Sequence, residues 1–207
     1  EKEFAVALQM ASSVVIDALS DSETIVPGDS ANVGVRVFAP ENAQIKVKEV
    51  KIIAPKDWKV ENSTEPKQPE SGFRPRRDNP TSASFFNVTS ASNAKYSQPY
   101  WLESQRNKDF TFNWNDSMSA NYPIQKPLLT TDVILEIGGA EIALSKEIEF
   151  RYSDDIRGEI RRDVAVVPHV SVMVDSNLII APVSNKPSSH RVVVSVTNNS
   201  PTETKGT

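Results

Sequence analysis

Valines recur at every second position in several stretches of this chain. Val33, Val35 and Val37 alternate with Asn32, Gly34 and Arg36, a period of two that predicts a half-buried strand. Ala39-Pro40-Glu41-Asn42-Ala43 is a break, and residues 45–54 read as a second strand. Pro55-Lys56-Asp57 ends that second strand ahead of Trp58. Similar runs predict strands over 84–88, 109–114, 129–137, 142–144, 147–152 and 160–167. Gly138-Gly139 between two of them marks a hairpin. Thr24-Ile25-Val26-Pro27-Gly28-Asp29 reads as a turn, because proline presets φ and glycine accepts a positive one. Helical spacing is confined to residues 3–12, where Phe4, Leu8 and Ala11 share a face. The β-branched Val14-Val15-Ile16 then favours extended chain. Residues 61–82 hold four prolines, many charges and a single aromatic, Phe73, and predict a long mobile loop. Residues 116–127 predict a second, polar loop.

Short strands separated by turn residues predict an all-β fold. The reading is an immunoglobulin-like antiparallel β-sandwich over residues 14–167, preceded by a short N-terminal helix. Residues 1–13 are read as a helical linker from an upstream domain. Beyond Pro168 the alternation returns at Val170, Val172 and Val174 and again over 191–196. Three strands are too few for an independent sandwich, so residues 168–207 are read as a partial second β-sandwich. Its Val192, Val194 and Val196 are expected to pack against the first sandwich or to pair with another copy, giving a dimer through strand exchange. A proline, a polar turn and alternating valines occur at 26–37 and again at 181–198, a structural analogy between the two units.

Composition narrows the chemistry. The 207 residues carry 23 basic and 27 acidic side chains, a net charge of −4, which argues against a nucleic-acid binder. No stretch of about 18 apolar residues predicts a membrane span. With no cysteine, disulfides, thiolate catalysis and cysteine-ligated metal are excluded. The two histidines, His169 and His190, have no carboxylate at ligand spacing and are read as surface residues. Asp154-Asp155 suits a tight polar turn better than a calcium loop. Glu147 and Glu149 would share one face of a strand, where solvated carboxylates are ordinary. Arg74, Arg76 and Arg77 fall in the proline-rich loop, and Arg157, Arg161 and Arg162 near Gly158; a solvated loop and a charge-protected strand edge account for both groups. Trp58 and Trp114 read as core. Tyr96, Tyr100 and Trp101 remain as candidate stacking rings for carbohydrate, with core packing as the competing reading for Tyr100 and Trp101.

Three blocks then carry a resemblance. Val26-Pro27-Gly28-Asp29-Ser30 with Ala54-Pro55-Lys56-Asp57-Trp58 is the first. Phe85-Phe86-Asn87-Val88-Thr89, Gln98-Pro99-Tyr100-Trp101-Leu102 and Phe112-Asn113-Trp114 form the second. Tyr152-Ser153-Asp154-Asp155-Ile156-Arg157-Gly158, running on to Val166-Val167-Pro168-His169, is the third. Together, and in this order, they resemble the region that follows the catalytic domain of large bacterial PIG-L (LmbE-like) deacetylases. The resemblance implies an accessory piece of an exported enzyme, secreted or periplasmic, whose zinc-dependent N-acetylglucosaminyl deacetylase domain lies upstream. The family's Ala-His-Pro-Asp-Asp-Glu pattern does not occur in this sequence. No catalytic residue therefore carries over, and no cofactor is expected in this chain, zinc belonging to the absent domain. The implied partners are that upstream deacetylase domain, a downstream immunoglobulin-like domain and a glycan. The expected role is to space or dock the catalytic domain toward a glycan substrate; the alternative is a carbohydrate-binding module that uses exposed aromatic rings.

Overall fold

A computed structural model describes residues 2–41, 43–65, 79–106, 111–113, 122–175, 178–179, 183 and 189–205. Among the described residues it is all-β apart from the helix α1 (Lys2–Ala11) and a 3-10 turn at Tyr100–Leu102. Ala5 of α1 is buried in the core and Leu8 packs beside it. The Ser12 hydroxyl closes the helix by donating to the Leu8 carbonyl at 2.7 Å.

Two sheets form the body of the molecule. The larger runs, edge to edge, through β10 (Gly158–Asp163), β9 (Glu149–Asp154), β1 (Val15–Ser20), β3 (Ser30–Phe38), β6 (Ser82–Thr89) and β5 (Lys59–Ser63). The smaller is β4 (Ile45–Ile53), β7 (Thr130–Ile137) and β8 (Ala140–Glu147). The order β1-β3-β6-β5 against β4-β7-β8 is the A-B-E-D over C-F-G arrangement of a constant-type immunoglobulin sandwich. The β9–β10 hairpin extends it alongside β1, through a parallel pairing of only two residue pairs, Leu19↔Glu149 and Ser20↔Phe150.

The alternating valines explain why the sheets face each other. Val33, Val35 and Val37 are each 1% exposed, and Val133 and Leu135 are fully buried within the same cluster. Ile16 and Ala18 of β1, Phe86 and Val88 of β6 and Leu144 of β8 complete the core. Gly138 and Gly139 turn β7 into β8 with φ of 56° and 86°, a pair of left-handed positions that a two-residue hairpin needs. Trp58 lies against this core, partly buried, instead of inside it.

Other expectations need correction. Lys59–Ser63 is strand β5, although residues 61–63 read as loop; it is an edge strand with every residue exposed, so burial writes no alternation into it. Glu147 and Glu149 do not share a strand: β8 ends at the first and β9 begins at the second. The buried Ile148 between them carries the chain from one sheet to the other, with its N–H bonded to the Leu129 carbonyl at 3.1 Å. The predicted strand at 160–167 divides at buried Val164 into β10 and β11 (Ala165–Val166). Half of the strand expected at 109–114 and half of the loop at 116–127 fall outside the described residues, as do Trp114 and Arg74, Arg76 and Arg77; Phe112 and Asn113 carry no regular structure.

β12 (Val170–Val174) and β13 (Val194–Asn198) form a separate two-stranded antiparallel sheet. Val172 faces Val196 across it, and Val174 faces Val194. Val192, Val194 and Val196 are 48%, 50% and 67% exposed, so the expectation that they pack against the first sandwich is not met. Among the described residues no helix is long and apolar enough to cross a membrane.

Charges organise the outer surface. On β4, an outer strand of the smaller sheet, Lys48 and Lys46 both pair with Glu136 of β7. The hydrogen bond from Lys48, reinforced by the Lys46 charge, holds the Glu136 carboxyl below the usual range, and the same bond raises Lys48. On the larger sheet, Asp17 of β1 accepts from Arg151 of β9 at 3.1 Å and from Arg161 of β10 at 2.9 Å. Arg161 also reaches Glu159 at 2.8 Å and Glu149 at 3.2 Å. Partial burial pulls the Arg161 pKa down, but these three carboxylates outweigh it and the net direction is upward. Because β9 shares so short a ladder with β1, this clamp ties the hairpin to the sheet. Asp17→Ala is expected to cost about 1–2 kcal/mol, the arginines keeping their other partners. Amide exchange should rise in β9 and β10 while β3 and β6 keep their protection; uniform loss across both groups would contradict the clamp.

Candidate functional site

One end of the sandwich is built around a single buried hydroxyl. Ser90, 4% exposed, directly follows β6. Its Oγ accepts the Gly28 N–H at 3.0 Å and donates to the Val26 carbonyl at 2.9 Å, with the Asp29 carbonyl 3.1 Å away. Its own N–H donates to the Asp29 carbonyl at 2.8 Å. Gly28 sits at φ 86°, a left-handed position that costs other residues about 1–2 kcal/mol. The predicted turn at 24–29 is thus pinned to the start of the 91–104 loop. Its first two residues, Thr24–Ile25, are short strand β2.

β2 pairs in parallel with β11. The Ala165 and Val167 N–H groups donate to the Glu23 and Ile25 carbonyls, each at 3.0 Å. Ser97 anchors the middle of the 91–104 loop to the same strand: its N–H donates to the Val166 carbonyl at 2.8 Å, and its hydroxyl accepts the Val166 N–H at 2.9 Å. Just beyond, Asn199 gathers the start of β12. Its Nδ2 donates to the Pro168 carbonyl at 2.8 Å and to Ser171 Oγ at 2.7 Å, and its N–H donates to the His169 carbonyl at 2.8 Å.

These anchored segments enclose an open cleft of ≈ 650 Å³. Pro27 forms one wall, the segment from Ser92 to Gln98 another, and Glu103, Ser104 and His169 the remainder. Tyr96 lines it with 52% of its surface exposed. Among the described lining residues Lys95 is the one lysine or arginine and Glu103 the one carboxylate, and the amides of Asn93 and Gln98 add donors and acceptors. His169 Nδ1 lies 2.7 Å from Ser200 Oγ. A second cavity of ≈ 420 Å³ opens near Asp21, Asp29 and Ser200, but the Asp21 carboxylate is already occupied by the Asn32 backbone and side chain, at 2.9 and 2.8 Å.

The structure separates the three candidate rings. Tyr96 lines the cleft. Tyr100 and Trp101, both half-buried, sit on the 3-10 turn and meet edge to face with centroids 4.9 Å apart and planes at 88°. They are not among its lining residues. The other singled-out groups go elsewhere. Asp154 Oδ1 accepts the Ile156 and Arg157 N–H groups at 3.0 and 2.8 Å, a polar turn between β9 and β10. Arg162 pairs with Glu23 at 2.8 Å and lies over the Tyr152 ring. His169 and His190 are exposed. Among the described residues no three histidines or carboxylates are grouped to hold a metal.

Sequence reasoning overlooked Ser90, Ser97 and Asn199, the residues that shape this end. Serine and asparagine are common in loops, and nothing in their neighbours' pattern announces a distant backbone partner. Ser90→Ala removes two hydrogen bonds that fix the turn, while the Gly28 N–H keeps the Ala91 carbonyl and the Val26 carbonyl keeps the Asp29 N–H. Chemical denaturation should show a loss of about 1 kcal/mol, the net worth of a hydrogen bond with no group left orphaned; a change under about 0.5 kcal/mol, the level of an ordinary surface substitution, would contradict this role.

Compared with known proteins, the chain matches no family model, no curated protein and no solved structure.

Proposed function

We propose that the chain is a non-catalytic immunoglobulin-like module that spaces or docks a neighbouring sugar-processing domain toward a glycan. In this reading it is the accessory region of an exported PIG-L (LmbE-like) deacetylase, secreted or periplasmic, with a further immunoglobulin-like domain on the other side. The sequence resemblance supplies that context. The observation that carries the spacing role is the junction itself. The link from the sandwich to the next sheet is not a free tether: Ala165–Val166 is strand β11, with Val164 and Val166 each 1% exposed. Pro168 fixes its own φ, and Asn199 binds the carbonyls on either side of the bend. The Ala165, Val166 and Val167 backbone groups are bonded to Glu23, Ser97 and Ile25 of the sandwich, and Asn199 holds the Pro168 and His169 carbonyls to the end of β13, so little free chain is left between the two.

No chemical step is assigned to this chain. Zinc belongs to the deacetylase domain in this reading. The spacing role predicts that backbone ¹⁵N relaxation returns one rotational correlation time for β3, β7, β12 and β13. Asn199→Ala combined with Pro168→Gly should shorten the apparent correlation time of β12 and β13 alone. A wild-type chain in which β12 and β13 already tumble independently would overturn the reading.

A further inference from the structure

We propose that the cleft beside Tyr96 is a binding site for a neutral oligosaccharide, with the Tyr96 ring as its stacking platform. Three observations converge on that ligand class. The first is the ring. Of the three candidate aromatics, Tyr100 and Trp101 are half-buried and pack edge to face with each other outside the cleft lining, whereas Tyr96 stands 52% exposed within a concavity. A sugar presents an axial C–H face to such a ring and hydroxyls around its rim, which suits a side chain with an apolar body and a polar tip.

The second is the chemistry of the walls. Sugar hydroxyls donate and accept at once, and so do the amides of Asn93 and Gln98 and the hydroxyls of Ser92 and Ser104. Among the described lining residues Lys95 and Glu103 carry opposite formal charges, and there is no arginine fork to grip a phosphate or sulfate. The apolar lining among these residues comes down to Pro27, Ala94 and the Tyr96 ring.

The third is preorganisation. The Pro27 wall is pinned by Ser90, the Ser92–Gln98 wall by Ser97, and His169 by Asn199. The site therefore loses little further freedom when filled. Its ≈ 650 Å³ falls within the range of small-molecule sites. The site shares Ser97 and Asn199 with the joint, but a stiff joint with a cleft that binds nothing is physically coherent, and amide shifts report the cleft where relaxation reports the joint. The two tests fail separately.

Titration of the ¹⁵N-labelled chain with chitotetraose and cellotetraose, read by amide shifts, examines the site directly. The expected result is saturable binding of at least one of them with Kd of about 0.1–1 mM. Its shifts should centre on Lys95, Tyr96, Gln98 and His169. Tyr96→Ala, an exposed position that the fold does not need, should weaken binding at least about tenfold, equivalent to about 1.4 kcal/mol. Tyr96→Phe should hold affinity within about twofold, because the face and not the hydroxyl does the stacking. Absence of saturable shifts with both sugars would overturn the site. So would binding indifferent to Tyr96→Ala, shifts centred on Tyr100 and Trp101, or tighter binding of polygalacturonate than of either neutral sugar.

Discussion

Two sheets lie face to face in this protein with no covalent bond between them. The chain has no cysteine, so the sandwich coheres through buried aliphatic side chains. The strands that a disulfide joins in antibody domains are represented here by β3 and β7, and their inward positions are Val33, Val35 and Val37 against Val133 and Leu135. That constraint propagates. A one-residue slip of β3 would send its valines to solvent and Asn32 and Arg36 inward, so register is enforced along its whole length. On the outer face Asp17, Arg151 and Arg161 secure the β9–β10 hairpin, which shares only two residue pairs with β1.

At the end of the sandwich, polar side chains take over the role that valine plays inside. Ser90, Ser97 and Asn199 each bind backbone groups far away in sequence, and so convert three irregular segments into fixed walls. A net hydrogen bond is worth only about 1 kcal/mol, but an orphaned buried partner costs more, so a few such residues suffice to define a cleft. The same bonds make the exit from the sandwich part of its sheet structure. Joint and cleft are thus two consequences of one set of anchors.

Much of this was legible from the pattern of side chains. β3 and β7 have one buried face, and period-two alternation reports such a face directly. Gly138-Gly139 announced its hairpin because a tight turn of the right twist requires positive φ. The failures have equally physical origins. β5 is exposed at every residue, so its sequence carries no burial signal. Residues 147–152 read as one strand because a chain that changes sheets keeps alternating, and only the burial of Ile148 between two carboxylates marks the crossing. Tyr96, Tyr100 and Trp101 looked like one cluster because they are neighbours in sequence. The 3-10 turn at Tyr100–Leu102 sets two of them against each other and leaves the third beside the cleft.

The central claim is that the aliphatic core and the anchored joint belong to one cooperative structure. Native-state hydrogen exchange tests it most directly, comparing the Ala165 and Val167 amides with those of β3 as denaturant is added. The account predicts that both groups open only with global unfolding, at the same free energy. Exchange at Ala165 and Val167 that is faster by orders of magnitude and insensitive to denaturant would contradict it, because the joint would then open while the core stayed closed.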